Sequence, residues 1–425
     1  MIEGMTILVG TVGSGVHVSR DGGGRFKQIF KPVPFEGNVR ALRVDPTDPA
    51  IVWAGTDAGL FRSVDGGVRW APVASPADGR QIWSIAVDPT DNRYVYVGAQ
   101  PGGFRSTDGG ESWTAIPFRF ESRLGDISGS LAGAEMVEVA PGRVLLFATW
   151  FDRSDRERPL FDPVTEGILR SRELMAISTD EGLTWSPWRE LPTPGLTGCA
   201  MTGPITIWPD GTLAFAFESF KEFDDLKPAR HVAWLLISRD GGETFDPPWR
   251  VAQHPEHSLY YWDQRLCATA TPGEFLSLFW THDLAAKRDR RVHFLRASIH
   301  DAQPLPLPTE TTLPGQIAAP VLLEDGRLFA FVVDRDQPGT LTLWQSPDGG
   351  STWPADARLV VHQQQELAKL SQGREHIDFA QYWEDMGKWT FGHPAIRRLS
   401  DGRLLLAFYA GSPDRMSIHW ARVRV

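Results

Sequence analysis

One eight-residue pattern occurs six times in this chain, and it constrains the fold more than any other feature. The pattern is S-x-D-x-G-x-x-[WF], and its copies lie at residues 19–26, 63–70, 106–113, 178–185, 238–245 and 346–353. An aspartate carboxylate accepts hydrogen bonds from backbone N–H groups of a turn, and a glycine permits positive φ at the tight point. The closing aromatic ring supplies a large apolar anchor. We therefore predict a hairpin turn at each copy.

The spacing of the copies predicts four-stranded blades. The aspartates stand at positions 21, 65, 108, 180, 240 and 348, so the first intervals are 44 and 43 residues. This length suits one antiparallel blade of a β-propeller. The last interval, 108 residues, predicts a degenerate copy midway, with Ser298 in register and His300 in place of the aspartate.

A second repeating element is an apolar strand, a turn that often contains Asp-Gly, and another apolar strand, which is typical of hairpins. Eight candidate second strands start near residues 6, 51, 94, 144, 212, 275, 327 and 403. The first unit lacks an obvious inner strand and the last lacks an outer one. We predict an all-β protein, a β-propeller of four-stranded antiparallel blades, with seven blades favoured and eight as the alternative.

The whole chain, 1–425, is predicted to be a single propeller domain whose two parts differ in loop length. Residues 1–118 are compact repeats, whereas 132–425 carry long loops and an insertion at 362–392 with partly helical character. Long loops on a rigid scaffold commonly build binding or catalytic sites.

Composition limits the classes of partner. A hydrophobic content of 42% and a charged content of 23% are those of a globular protein with a large core. The net charge of −10 disfavours a nucleic acid or an anionic membrane as partner. The first residues lack a basic segment followed by a long apolar one, so a cytoplasmic location is expected, with a mature secreted form as the alternative. The oligomeric state is left open.

The repeated pattern resembles the Asp-box (BNR repeat), the hairpin signature of sialidase-like and related β-propellers. This resemblance implies a carbohydrate-active hydrolase, in its most concrete form an exo-glycosidase that acts on an acidic sugar. In that family the boxes lie away from the substrate face, so the site must be sought in other loops.

In a propeller, the loops between second and third strands share one face with the loops that lead into inner strands. Polar and aromatic residues at these positions are the site candidates. The candidate catalytic residues are Glu135, Asp152, Asp263, Asp283, His393 and Tyr409, and the candidate substrate-binding residues are Arg153, Trp262, Arg265, Trp280, His282 and Arg335.

The resemblance implies roles for these residues. Glu135 opens a strand similar to the sialidase strand whose glutamate assists a nucleophilic tyrosine. An aspartate would protonate the leaving group, and arginine makes the two-pronged bonds that hold a sugar carboxylate. A rim carboxylate paired with arginine is the alternative for Glu135, and a solvated charged loop is the alternative for Arg153.

Two short segments combine aromatic and ionisable groups. Residues 260–265 join rings suited to sugar stacking with Asp263 and Arg265. His282 and Asp283 follow Trp280 closely, a pairing that suits proton relay. No further histidine stands at a recognised ligand spacing, so neither a metal nor another cofactor is expected.

The chain also departs from the sialidase pattern. Gly392 and His393 stand where a nucleophilic tyrosine is expected, which leaves Tyr409 and Tyr382 as candidates, and the Arg-Ile-Pro motif near the N-terminus is absent. Two other functions therefore remain open. One is a polysaccharide lyase that acts on uronate-containing glycans, with His393, His282 or a tyrosine as base. The other is a non-catalytic propeller that binds a glycan or a protein.

Overall fold

The structure is a computed structural model that describes residues 6–11, 13–21, 23–30, 38–100, 102–116, 123–228, 230–336, 339–364, 389–412 and 415–425. Within these residues all regular secondary structure is β-strand, and no helix is long and apolar enough to cross a membrane. The chain divides into two compact units. The first comprises Met1–Phe120 and Tyr409–His419, and the second comprises Glu121–Phe408 and Trp420–Val425.

The first unit consists of small antiparallel sheets whose strands follow one another along the chain. The strands are β1 (Ile7–Thr11), β2 (Gly15–Ser19), β3 (Lys27–Phe30), β4 (Val39–Val44), β5 (Val52–Thr56), β6 (Gly59–Ser63), β7 (Ala71–Pro72), β8 (Gln81–Val87), β9 (Val95–Gln100), β10 (Gly103–Ser106) and β11 (Thr114–Ala115). Strands β4 to β7 form one sheet and β8 to β11 the next, each in sequence order.

The second unit continues the same arrangement with longer strands. We number the sheets along the chain, with β4–β7 as the first and β8–β11 as the second. The third sheet contains β12 (Arg123–Leu124), β13 (Ile127–Ala140), β14 (Arg143–Asp152), β15 (Ser171–Ser178) and β16 (Arg189–Glu190). The fourth contains β17 (Gly198–Met201), β18 (Thr206–Ile207), β19 (Leu213–Phe220), β20 (His231–Ser238) and β21 (Trp249–Ala252). The fifth contains β22 (Leu259–Ala268), β23 (Glu274–Asp283), β24 (Arg288–Asp289), β25 (His293–Ser298) and β26 (Thr309–Glu310); the sixth contains β27 (Ala318–Leu322), β28 (Leu328–Asp334), β29 (Thr340–Ser346) and β30 (Arg358–Gln363).

The last strands are β31 (Phe391–Arg398), β32 (Leu404–Ser412) and β33 (Arg415–Val423), and the latter two contribute to both units. The hydrogen-bonded order is β3-β2-β1-β33-β32-β31. Among the described residues, the half β1–β3 joins the half β31–β33 through the pairing of Thr11 on β1 with Ser417 on β33. Counted as two sheets, these halves bring the number in the described residues to eight.

This succession of small antiparallel sheets is the β-propeller architecture that the sequence predicts. Eight sheets correspond to the blade number admitted beside the favoured seven. The second strands begin at residues 7, 52, 95, 143, 213, 274, 328 and 404, each within one residue of the predicted start. The helical character predicted for the insertion at 362–392 falls mostly on residues 365–388, which lie outside the described residues, as does Tyr382.

Apolar side chains between neighbouring sheets of the second unit form its core. Phe147 of β14 stacks on Phe215 of β19 with ring centroids 5.2 Å apart, and both are fully buried. Tyr261 of β22 and Phe279 of β23 belong to the next cluster, between the fourth and fifth sheets. Strand β19 is buried along almost its whole length, which indicates that its sheet is covered on both faces, and its sequence reads as a nearly continuous apolar run.

The six repeated turns have one geometry. In each, the serine hydroxyl donates to the aspartate carboxylate at 2.6–2.9 Å. The same hydroxyl accepts the backbone N–H of the glycine of the pattern, four residues after the serine, at 2.8–2.9 Å. Near the predicted degenerate copy, the Ser298 N–H donates to Asp301 at 2.8 Å. A carboxylate is thus retained there, supplied by Asp301 and not by the position of His300.

Candidate active site

Charged side chains from three separate sheets of the second unit interact with one another. Glu135 lies on β13, Arg265 on β22 and Arg397 on β31, each the first long strand of its sheet. The charges of Arg265 and Arg397 both act on the Glu135 carboxyl. These strands belong to the third, fifth and last sheets. Their interaction therefore indicates that the first long strand of each of these sheets faces a shared space.

The Glu135 carboxyl group is partly removed from water. It is half-buried and lies opposite Phe147 in the β13–β14 ladder. Burial raises the pKa of Glu135 above its ordinary value, and the positive charges of Arg265 and Arg397 oppose that rise. A carboxyl group with a raised pKa holds its proton more readily, which suits a proton donor.

Asp263 and Arg265 occupy a bulge in β22. Trp262 pairs with Trp280 and Arg265 with Leu278, so β22 has one residue more than β23 over this stretch. Asp263 has φ of 46°, in the left-handed region, which costs a non-glycine residue on the order of 1–3 kcal/mol. Its carboxylate forms an ion pair with the Arg265 guanidinium at 2.7 Å. The bulge therefore presents a fixed carboxylate–guanidinium pair.

A buried glutamate of the neighbouring sheet holds this bulge. Glu218, on β19, accepts the backbone N–H of Asp263 through Oε1. Its Oε2 lies 3.0 Å from Nε2 of His231, and both side chains are almost completely buried. Burial raises the pKa of Glu218, and its bond to His231 opposes that rise. Glu218 thus stabilises a backbone conformation that Asp263 would not adopt by itself.

His393 on β31 interacts electrostatically with the Asp263–Arg265 pair. Its φ is 47°, also left-handed. Removal of the ring from water lowers the pKa of His393, the charge of Asp263 opposes this, and the charges of Arg265 and Arg335 add to it. Part of the side chain remains exposed. A neutral, accessible imidazole can accept a proton at physiological pH.

Trp262, Trp280 and His282 form a buried wall next to the bulge. The Trp262 and His282 rings stack with centroids 5.2 Å apart, and Trp280 packs edge-on against Trp262 at 5.1 Å. Asp289 accepts the Trp280 indole N–H at 2.9 Å and lies 3.1 Å from Nδ1 of His282. These three side chains are predicted substrate-binding residues; they contact one another beside the bulge of β22, and their contact with substrate stays a prediction.

Arg335, just after β28, lies in a second buried contact. Its guanidinium carbon is 3.8 Å from the ring centroid of Trp389, a cation–π geometry. Its backbone N–H donates to Gln316 at 3.1 Å. The side chain is 4% exposed, yet its charge acts on His393. Arg335 therefore contributes positive potential to the cluster from below the surface.

The other predicted site residues make the following contacts. Asp152 lines a separate cavity, and the Arg153 guanidinium donates to Ser130 and to the Arg158 carbonyl. Asp283 pairs with Arg290 at 3.3 Å and accepts a backbone N–H of the turn after β23. Tyr409 is half-buried on β32.

The structure therefore brings together five of the predicted residues: Glu135, Asp263, Arg265, Arg335 and His393. Sequence reasoning missed Arg397 and His231, the histidine that contacts Glu218 behind Asp263. Strand alternation could have found Arg397, because His393 and Arg397 are four residues apart on one strand and share a face. No group of three His, Cys, Asp or Glu side chains in the described ranges is arranged to hold a metal ion.

Comparison with known proteins gives a likeness of fold. No family model matches the chain, and no curated protein matches it. Among solved structures, a protein of unknown function from Dyadobacter fermentans DSM 18053 is similar over 100% of both chains, with 16% identity and a TM-score of 0.51. A Hadza microbial sialidase has 15% identity over 96% of this chain and 72% of its own, with a TM-score of 0.47. An α-L-arabinanase from Penicillium chrysogenum, complexed with arabinobiose, has 13% identity over 98% of each chain and a TM-score of 0.45.

Proposed function

We propose that this protein is a carbohydrate-active enzyme that cleaves a saccharide bearing a carboxylate. Its active site would be the cluster of Glu135, Asp263, Arg265, His393 and Arg397. The observation that carries the proposal is the meeting of a carboxyl of raised pKa with guanidinium groups from two other sheets. Carboxyl, imidazole and guanidinium groups together in one site supply an acid, a base and an anion holder.

The arginines define the substrate class. The positive charges of Arg265 and Arg397 act on the Glu135 carboxyl. The buried Arg335 adds a positive charge that acts on His393. Three guanidiniums thus accompany the two carboxyl groups, so a further carboxylate, brought by the substrate, is stabilised there. Arg265 already forms an ion pair with Asp263, and Arg397 on β31 is exposed. Arg397 is therefore the group free to make two-pronged contact with a sugar carboxylate.

For hydrolysis, the pKa directions favour roles different from those that the family resemblance implies. Glu135 with its raised pKa suits the acid that protonates the leaving oxygen as the glycosidic C–O bond breaks. His393 with its lowered pKa suits the base that removes a proton from the attacking water, whose oxygen forms the new bond to the sugar carbon. Asp263 would stabilise the imidazolium that results.

A lyase reaction is the second candidate, and His393 favours it. A neutral imidazole beside arginines can remove the proton from the carbon next to a uronate carboxylate. The guanidinium neutralises that carboxylate and thereby lowers the pKa of the adjacent C–H group. The released electron pair forms a carbon–carbon double bond as the C–O bond breaks. Glu135 would protonate the departing oxygen.

A turnover screen separates these reactions. Purified protein is assayed against fluorogenic glycosides, including sialosides, and against uronate oligosaccharides monitored for new ultraviolet absorbance. We expect cleavage of an acidic substrate, reduced about 10²–10⁴-fold in Glu135→Gln because a general acid is lost.

Glu138→Gln is the matched control, since Glu138 is an exposed carboxylate on the same strand and should leave turnover unchanged. Hydrolysis without unsaturated product assigns a glycosidase, and unsaturated product assigns a lyase. Stabilisation by an acidic glycan without any turnover would contradict the proposal and make the protein a binding propeller.

A further inference from the structure

A second cavity of the second unit shares no lining residue with the cluster around Glu135. It lies where β14 ends and the loop to β15 begins, and its volume is about 580 Å³, within the range of small-molecule sites. Its lining includes Asp152, Arg158, Leu169, Arg170, Phe223 and Asp224. We refer to it as the Asp152 cavity.

The walls of the Asp152 cavity are held together by contacts between two loops. The Thr165 hydroxyl donates to the Phe223 carbonyl, and the Ile168 N–H donates to the Lys221 carbonyl at 3.1 Å. At Gly167 the loops approach so closely that a Cβ would lie 1.9 Å from the Glu222 carbonyl oxygen. The loop after β14 is thus fixed against the segment after β19.

Several charges of the cavity are already paired. Arg158 forms ion pairs with Asp224 at 3.3 Å and with Asp155 at 3.6 Å. Its guanidinium carbon lies 5.0 Å from the ring centroid of Phe223. Arg172 pairs with Glu190 at 3.3 Å. These groups hold the lining in place and are not available as the main ligand contacts.

Asp152, Arg170 and Glu222 are the charged lining residues that form no ion pair within the described ranges, and of these Glu222 accepts the Thr197 hydroxyl at 2.9 Å. The Asp152 N–H donates to the Arg170 carbonyl at 2.8 Å, so the two residues are cross-strand neighbours at the end of the β14–β15 ladder. Oδ1 of Asp152 accepts the Ser154 N–H at 2.9 Å. Within the described ranges, neither the Asp152 carboxylate nor the Arg170 guanidinium has an ion-pair partner. One acceptor and one donor therefore stand side by side.

The lining favours a neutral, hydroxyl-rich ligand. It contains four carboxylates and three guanidiniums, so neither an anion nor a cation meets a field of one sign. A hydroxyl group both donates and accepts, and two adjacent hydroxyls can donate to Asp152 and accept from Arg170. Leu169 and Phe223 also line the cavity; they are largely buried and present only a small apolar surface to the C–H groups of a sugar ring.

We propose that the Asp152 cavity binds a neutral sugar unit, with ring hydroxyls bridging Asp152 and Arg170. The expectation of a saccharide rests on the proposed function. The site itself is separate from the acidic-sugar site and would hold a different unit of the same glycan. In this assignment Asp152 contacts ligand but takes no part in bond cleavage.

The test is titration calorimetry and saturation-transfer NMR with lactose, cellobiose and maltose as neutral probes. We expect at least one probe to bind, and Arg170→Gln and Asp152→Asn each to weaken its Kd by about tenfold or more, the loss typical of a hydrogen bond to a charged group. Arg239→Gln, which changes an exposed arginine of a repeated turn, is the matched control and should bind as the wild type does. Thermal unfolding checks that each variant is folded.

Arg265→Gln separates this inference from the proposed function. It should abolish turnover of acidic substrate and leave neutral-probe binding intact. The inference is wrong if none of the three probes binds, or if binding survives Arg170→Gln and disappears in Arg265→Gln. If the protein cleaves no acidic substrate, the proposed function is wrong but the binding test is still valid, because calorimetry and NMR detect binding without catalysis.

Discussion

Two buried carboxyl groups in adjacent sheets of the second unit, Glu173 and Glu218, have different surroundings. Glu173 on β15 is fully buried and accepts a hydrogen bond from the Thr149 hydroxyl at 2.8 Å, and its Oε1 has no hydrogen-bond partner among the residues that the structure describes. Glu218 on β19 is equally buried but contacts His231 and the backbone of Asp263. Burial raises the pKa of both groups, to about 8 for Glu173. A raised pKa alone therefore does not mark a carboxyl group as functional. The contacts of the group indicate whether it supports the site.

The largest expected difference concerns Glu218→Leu and Glu173→Leu. Both substitutions remove a buried carboxyl, but only the first leaves the Asp263 N–H and His231 without their acceptor. We expect Glu218→Leu to lower kcat of the acidic substrate by at least about tenfold with a small change in KM, because Asp263 leaves its fixed position. Steady-state kinetics on both variants measures this.

Glu218→Gln keeps an acceptor for the Asp263 N–H and should recover most of the lost turnover. Equal loss of kcat in Glu218→Leu and Glu173→Leu, at equal stability, would show that both residues act only through folding. Urea unfolding of each variant supplies the stability comparison. Leaving a buried donor unpaired costs about 1–3 kcal/mol, so some loss of stability is expected in Glu218→Leu as well.

Glu173 should reveal itself in the pH dependence of stability. Its folded pKa of about 8 lies above its ordinary value of 4.5, so the folded state holds a proton that the unfolded state releases. The stabilising effect of that proton is complete below pH 4.5 and is lost as the pH rises towards 8, at up to about 1.4 kcal/mol per pH unit.

Glu173→Gln mimics the protonated group and should remove this slope. Urea unfolding at pH 5, 6.5 and 8 compares the two proteins, and turnover at a fixed pH should be the same in both. If the stability difference between wild type and Glu173→Gln stays constant across that range, Glu173 is not held protonated in the fold. The Cys199 thiol lies in the same environment, and burial keeps its pKa well above the ordinary value, so it does not titrate in this window.

Much of the fold could be predicted from the sequence because its determinants are local. A repeated turn needs only a serine, an aspartate and a glycine at fixed spacing, and apolar runs around each turn mark the second strands to within one residue. Alternation also places Glu135 and His393 on strands that face a shared space. These signals span eight to twelve residues, which is the range in which sequence patterns are informative.

The rest of the site depends on contacts between distant residues. The bulge at Asp263 follows from a bond to Glu218, 45 residues earlier, and no local pattern predicts the positive φ that results. Asp152 and Arg153 are charged residues at a loop position typical of site residues. The loop that follows them is fixed against the segment after β19, and the two segments line a separate cavity together with Asp152. Trp262 and Trp280 pack edge-on against each other across two strands, a contact that no local pattern predicts, and their stacking on sugar stays a prediction.

Adjacent arginines on β31 provide the most direct test of the central claim, that the first strands of the second unit form the active site for an acidic saccharide. Arg397 acts on Glu135, whereas Arg398, the next residue, pairs with Glu324. The measurement is kcat/KM on the acidic substrate for Arg397→Gln and Arg398→Gln. The account predicts a loss of about tenfold or more for Arg397→Gln, the loss expected when a charged hydrogen bond to substrate is removed, and wild-type turnover for Arg398→Gln. Equal values for the two variants would contradict it.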